Sequence, residues 1–142
     1  MPALDAISVE GYKSIRSAKI DLGAINVLIG ANGSGKSNLV GLFGLLADLA
    51  DERLQFHIAR QGGANAILRF GLKHTSSLRI ALRFGLDGYE AVLAPSAGDA
   101  LVFDGEATLS WEPGSRSKTG ADPDLPIRTP MGPVGHKETE LP

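Results

Sequence analysis

The chain has no cysteine, and its 142 residues include only two methionines, one tryptophan and two tyrosines. Without thiols there is neither a disulfide framework nor a thiolate metal site. The three histidines, His57, His74 and His136, are scattered and lack metal-ligand spacing, so they read as surface or core residues. No segment approaches the roughly 18 apolar residues of a membrane-spanning helix. The N-terminus, Met1-Pro2-Ala3-Leu4-Asp5, has no basic stretch leading into an apolar run. The expectation is a cytoplasmic protein without membrane contact. An excess of one charge is missing too: 14 Lys and Arg stand against 16 Asp and Glu, a net charge of −2. That excludes a globally basic nucleic-acid module and leaves a local groove open.

Glycine, by contrast, is plentiful, with 18 residues. Three of them fall in Gly30-Ala31-Asn32-Gly33-Ser34-Gly35-Lys36-Ser37, which fits the phosphate-binding pattern G-x-x-x-x-G-K-[ST] without a mismatch. A triphosphate carries several negative charges on closely spaced oxygens. A loop that wraps it must point many backbone N–H groups inward, with no side chain in the way. Gly30, Gly33 and Gly35 allow that approach. A following helix would add unpaired N–H groups and the positive end of its dipole. Lys36 would bring a full charge to the β and γ phosphates, and Ser37 a hydroxyl to Mg²⁺.

The surrounding pattern supplies this context. Residues 6 to 10 and 18 to 22 alternate apolar and polar and predict two half-buried strands, with Gly11-Tyr12-Lys13-Ser14-Ile15 between them. Ile25-Asn26-Val27-Leu28-Ile29 predicts a strand buried on both faces, leading into the loop. A helix over 35 to 50 carries Leu39, Leu42, Phe43, Leu46 and Leu49 at spacings of three and four, widened by Val40 and Leu45, and should be mostly buried. Gly41 and Gly44 are poor helix formers whose presence calls for a close neighbour. Helix continues through Asp51 to Arg60 until Gly62-Gly63 interrupts it, and residues 64 to 68 suit a helical turn or a loop equally. Over 76 to 111 the period becomes two, with Asp87-Gly88 and Asp104-Gly105 as hairpin turns, predicting an antiparallel meander. Residues 112 to 142 hold six of the eight prolines and no apolar period, and predict a disordered or linker segment after a folded unit of 1 to 111.

Tyr12-Lys13-Ser14-Ile15, the apolar run and then Gly30 through Ser37-Asn38-Leu39 resemble the start of the SMC/RecF-type ATPases within the ATP-binding cassette class. Asn32-Gly33 inside the loop and Ser37-Asn38-Leu39 after the lysine narrow the likeness beyond a generic P-loop. The stretch from Gly62-Gly63-Ala64 into the meander is similar to the N-terminal part of bacterial AAA family ATPases of this group, a less specific likeness spanning residues 7 to 110. The resemblance implies an α/β (α+β) fold with a mixed sheet, forming the N-terminal lobe of a P-loop NTPase head. It implies ATP and Mg²⁺ as ligands, and ATP hydrolysis in the complete head. DNA repair, chromosome maintenance or defence would be the setting, with DNA as a partner by family likeness alone. A nucleotide-dependent head dimer or a missing C-terminal half would complete the site. Carried over by position, Asn32, Gly33, Ser34, Gly35, Lys36 and Ser37 would wrap the phosphates and Asn38 would begin the helix. Lys13 and Ser14 match a segment that passes near the nucleotide, and Tyr12 could flank the base.

Catalytic residues are absent from this picture. Leu101-Val102-Phe103-Asp104-Gly105-Glu106 imitates an apolar strand ending in acids, but Asp104-Gly105 is equally a hairpin turn, the preferred reading. Pro95-Ser96-Ala97-Gly98-Asp99 only faintly echoes the family's signature motif. Base-reading N-K-x-D and switch D-x-x-G motifs of GTPases are missing, and a small-molecule kinase would carry a basic lid in place of the meander. The alternative to a partial ATPase is a non-catalytic β-rich interaction module, or a truncated remnant, with a vestigial loop.

Overall fold

The computed structural model describes residues 2–113, 125–132 and 135. The chain begins with an antiparallel hairpin, β1 (Ala6–Tyr12) and β2 (Ile15–Asp21). Three helices follow: α1 (Lys36–Ala50), α2 (Leu54–Gln61) and the single turn α3 (Ala64–Ile67). The meander is β3 (Leu78–Phe84), β4 (Asp87–Ser96) and β5 (Ala100–Ser110), with a short β6 (Ile127–Pro130) beyond it. The strands form one six-stranded sheet in the order β2-β1-β3-β4-β5-β6.

Register explains which residues are buried. Val9 pairs with Ile80, which pairs with Ala91, while Leu78 pairs with Leu93 and Leu93 with Phe103. All are fully buried, and they form one core with Leu42, Leu45 and Leu49 of α1 and Leu54 and Ile58 of α2. Alternate residues, among them Ser8, Glu10, Arg79 and Arg83, lie on the opposite side of the sheet, because strand side chains alternate. Burying each large apolar side chain contributes roughly 1.5–3 kcal/mol. That outweighs the helix-weakening glycines of α1, which cost up to about 1 kcal/mol each. Gly41 has its close neighbour, since a Cβ there would stand 3.3 Å from the Tyr12 hydroxyl.

Several expectations need correction. Every strand pair among the described residues is antiparallel, so the sheet is not mixed. Residues 25–29 form no strand, and Ile25 and Ile29 are 87% and 92% exposed. A strand apolar on both faces needs neighbours on both edges and cover on both sides, and none of the six strands supplies them. Only a small turn marks this segment, where Gly23 N donates to Asn26 Oδ1 and Asn26 Nδ2 donates to Gly23 O, both at 2.9 Å. Helix α1 is also less enclosed than its composition suggests, because Val40 and Phe43 are exposed.

Neither Asp-Gly pair forms the expected turn. The β3–β4 turn is Gly85-Leu86, where Gly85 takes φ 63° and its N–H donates to Asp5 Oδ2 at 2.5 Å. Gly88 instead lies in β4 under Trp111, whose ring atoms would stand 2.8 and 3.0 Å from a Cβ. At 104–105 the chain does not turn at all: Asp104 is the extra residue of a bulge, since Val92 pairs with Gly105 and Leu93 with Phe103. The β4–β5 turn is formed by Ala97-Gly98-Asp99, the supposed signature echo. Most of the stretch expected to be a linker lies outside the described residues, but Ile127–Pro130 within it pairs with β5, and Arg128 Nε donates to Glu90 Oε1 at 2.6 Å.

Candidate nucleotide site

Gly35 enters the left-handed region at φ 94° and turns the loop into α1, whose first turn is closed by Leu39 N donating to Gly35 O at 3.0 Å. No side chain caps this helix start, and no acidic residue lies in its first turn. The positive end of the helix dipole is therefore left for a ligand anion. Ahead of it the loop is tightened by Ser34 N donating to Ala31 O at 3.1 Å, with Gly33 at φ 82°.

Lys36 holds the loop on itself. Its ammonium donates to Gly30 O, to Ala31 O at 2.9 Å and to Ser34 Oγ at 3.5 Å. These carbonyls are weak counterparts for a full charge, and a phosphate would be a stronger one because both partners of the bond are then ionised. Ser37 is exposed at the helix start. A cavity of about 350 Å³ is lined by Ser14, Asn32, Gly33, Gly35, Lys36, Ser37 and Asn38. Asn32, Gly33, Gly35, Lys36, Ser37 and Asn38 thus meet at one place, while Gly30 and Ser34 do not line the cavity and are held beside it by the Lys36 ammonium. The donor set of ammonium, hydroxyls and helix N–H groups fits a polyphosphate, and the Ser37 hydroxyl fits a hard cation that keeps most of its waters.

The β1–β2 turn delivers the second wall. Asn38 Nδ2 donates to Ser14 Oγ at 2.7 Å, and that hydroxyl stands 3.3 Å from where a Gly35 Cβ would be. Lys13, in contrast, takes φ 46° and sends its ammonium to Gln61 Oε1 at 3.0 Å, away from this cavity. Tyr12 cannot flank a base: it is 1% exposed beneath α1, and burial raises its hydroxyl pKa above the usual tyrosine range. The alternation of β1 puts Ile7 and Val9 in the core and would send Tyr12 the other way, but Gly11 at φ 80° breaks it and the ring enters the core.

Acid residues elsewhere do not join the site. Asp104 is exposed on its bulge, and Glu106 is buried on β5, where Tyr89 Oη donates to its Oε1 at 2.5 Å. Among the described residues no group of three or more His, Asp or Glu could hold a metal ion, and no helix is long and apolar enough to cross a membrane. Arg16, which no motif marks, lines a neighbouring cavity of about 460 Å³ together with Lys36, Leu28 and Ile29.

Comparison with known proteins agrees with the loop chemistry. Residues 25–91 match the family described as "AAA domain, putative AbiEii toxin, Type IV TA system". The chain is 32% identical over 108 residues to the DNA replication and repair protein RecF of Acidothermus cellulolyticus, covering 74% of this chain and 27% of that protein. It is 34% identical over 87 residues to RecF of Renibacterium salmoninarum, covering 59% of this chain and 21% of that one. The alignments thus span about a quarter of these relatives' length. The phosphate-loop cradle at the start of α1 lies within the matched AAA domain, and the chain is similar there to AAA-family ATPases and, in part, to RecF proteins.

Proposed function

We propose that the chain binds Mg-ATP through residues 30–38, as the N-terminal part of a RecF-like ATPase head. The observation that carries this reading is the convergence of Lys36, Ser37, Asn38 and Ser14 on one cavity at an uncapped, acid-free helix start. In it the loop amides and Lys36 bind and orient the phosphates, and Ser14, held by Asn38, fixes the loop's other wall. Mg²⁺, when bound through Ser37, would neutralise charge on the phosphate oxygens. Hydrolysis would require an acidic strand end and a signature helix start, and neither is found among the described residues. They would come from a C-terminal half or from a partner head in a nucleotide-dependent dimer. By the same likeness, DNA repair or maintenance is the setting in which the complete head would act, with DNA as its partner.

The exposed run 25–29 and the exposed Val40 and Phe43 support the incomplete-head reading over that of a self-contained module. These apolar groups adjoin the loop on both sides in sequence, where added strands would cover them. Calorimetric titration of Mg-ATP into the wild type and Lys36→Ala tests the site. Loss of a charge-assisted hydrogen bond of about 1.5–3 kcal/mol weakens binding by roughly one to two decades. Equal affinities would remove the proposed site.

A further inference from the structure

On the other side of the β1–β2 turn lies a polar cavity of about 400 Å³ that the loop chemistry does not use. Its floor comes from the helix-free side of the sheet, where Glu10 pairs with Arg79 and Arg79 with Val92. Its walls are Arg16, Arg69 and the segment 74–77. Three arginines and a single carboxylate residue, Glu10, therefore line one cavity. Arg79 is engaged with Glu90, its Nε lying 3.9 Å from Oε2. Arg16 and Arg69 make no side-chain hydrogen bond or ion pair among the described residues, and Arg69 Nε is enclosed with no acceptor. The Arg69 guanidinium does rest 4.2 Å from the Phe70 ring centroid, a contact that supplies no hydrogen-bond acceptor in the ring plane.

Like charges gathered in one cavity repel, and an enclosed N–H without an acceptor is unfavourable. An oxyanion removes both costs. Guanidinium groups match phosphate oxygens in fork geometry, and the hydroxyls of Ser76 and Ser77 on the same wall offer further donors. We propose that this cavity is a second anion site, separate from the loop at 30–37, which takes a phosphate group on Arg16 and Arg69. The two cavities share no lining residue, although Arg16 also borders the cavity that reaches Lys36. The volume exceeds that of a single phosphate, leaving room for an attached sugar. The phosphate can come from a free or nucleotide phosphate or from a polynucleotide backbone.

Backbone-amide NMR on the full 142-residue chain tests this. Inorganic phosphate is titrated into the wild type, Lys36→Ala, Arg16→Gln and Arg69→Gln, followed by a ten-nucleotide oligothymidylate. Phosphate is expected to shift the amides of Arg69 and of residues 75–77 equally in wild type and Lys36→Ala, and about tenfold more weakly in each arginine variant. The spectrum itself reports whether Arg69→Gln remains folded, and exposed Arg16→Gln gives a second, milder variant. If the oligonucleotide shifts the same amides at lower concentration than phosphate, a polynucleotide backbone is the source. If phosphate alone does so, the source is a free or nucleotide phosphate, and both results support the site. Shifts confined to residues 30–38 and abolished by Lys36→Ala, or unchanged affinity in both arginine variants, would overturn it. Because Lys36→Ala disables only the loop, failure of Mg-ATP binding and failure of this site are read separately.

Discussion

Gly63 should tolerate no side chain, and Gly63→Ala should be among the most damaging small substitutions in the chain. The residue sits at φ 93° and ψ 177°, a conformation that only glycine adopts freely. A Cβ built there would stand 1.9 Å from Asp99 Oδ2 and 2.5 Å from its Cγ. Asp99 cannot simply swing away, because its Oδ1 accepts from Asn65 N at 2.8 Å and its backbone carbonyl accepts from Ala64 N at 2.8 Å. Backbone strain costs about 1–3 kcal/mol, and a displaced carboxylate loses a charge-assisted bond worth about 1.5–3 kcal/mol. Because the side chain is exposed and water replaces part of that bond, a total of about 2–5 kcal/mol is expected. With a urea m-value near 1.5 kcal/mol/M, the unfolding midpoint falls by about 1 to 3 M. Adding Asp99→Gly removes the clash, so the double variant should lose less than the sum of the singles. A midpoint for Gly63→Ala within about 0.3 M of wild type, or strict additivity in the pair, would refute the reasoning.

Three other outcomes follow from local geometry. Tyr12→Phe should raise stability by about 1 kcal/mol, because the Tyr12 hydroxyl is buried with no hydrogen-bond partner among the described residues; thermal melting should show a gain of about 3–5 °C. Asp48 has its carboxyl pKa lowered by its hydrogen bond with His57, at 2.8 Å, and further by Arg53 at 2.9 Å. A depressed folded-state pKa stabilises above the unfolded value of 3.8 and is lost as pH falls through the folded one. Urea midpoints measured from pH 5 downward should therefore fall more steeply in wild type than in Asp48→Asn, and parallel slopes would count against the pairing. Asn38→Ala should weaken Mg-ATP binding by a factor of about 2 to 10 while leaving circular dichroism unchanged, since one hydrogen bond to Ser14 is lost. Unchanged affinity would mean that Ser14 needs no such support.

The parts legible in the sequence were those encoded locally. The loop, α1 and the alternation of β1, β2 and β3 each carry their pattern within a few residues. Turn positions were less legible, because glycine has more than one use: Gly88 makes room for Trp111, while Gly85, beside an unremarkable Leu86, makes the turn. Asp104-Gly105 has hairpin spelling, yet a single extra residue can be absorbed as a bulge when the flanking strand keeps its partners. The run 25–29 forms no strand for a different reason: apolar composition expresses a preference for burial, and none of the described strands lies beside it to pair with it. Within the site, Ser14 lies beside the loop, whereas Tyr12, past Gly11 at φ 80°, turns into the core and Lys13 reaches Gln61. Arg16 and Arg69 could not be paired in advance, because the segment that joins their surroundings is brought there by the isolated bridge between Tyr12 and Leu68 and by Arg69 N donating to Gly11 O at 2.9 Å.

Hydrogen exchange at the amides of residues 30–38 tests the central claim most directly. In saturating Mg-ATP these amides should exchange several-fold more slowly than in the free protein, because phosphate oxygens accept their N–H groups and Lys36 leaves the loop carbonyls, and Lys36→Ala should abolish most of that protection. Exchange that is unchanged by nucleotide across residues 30–38 would contradict the account.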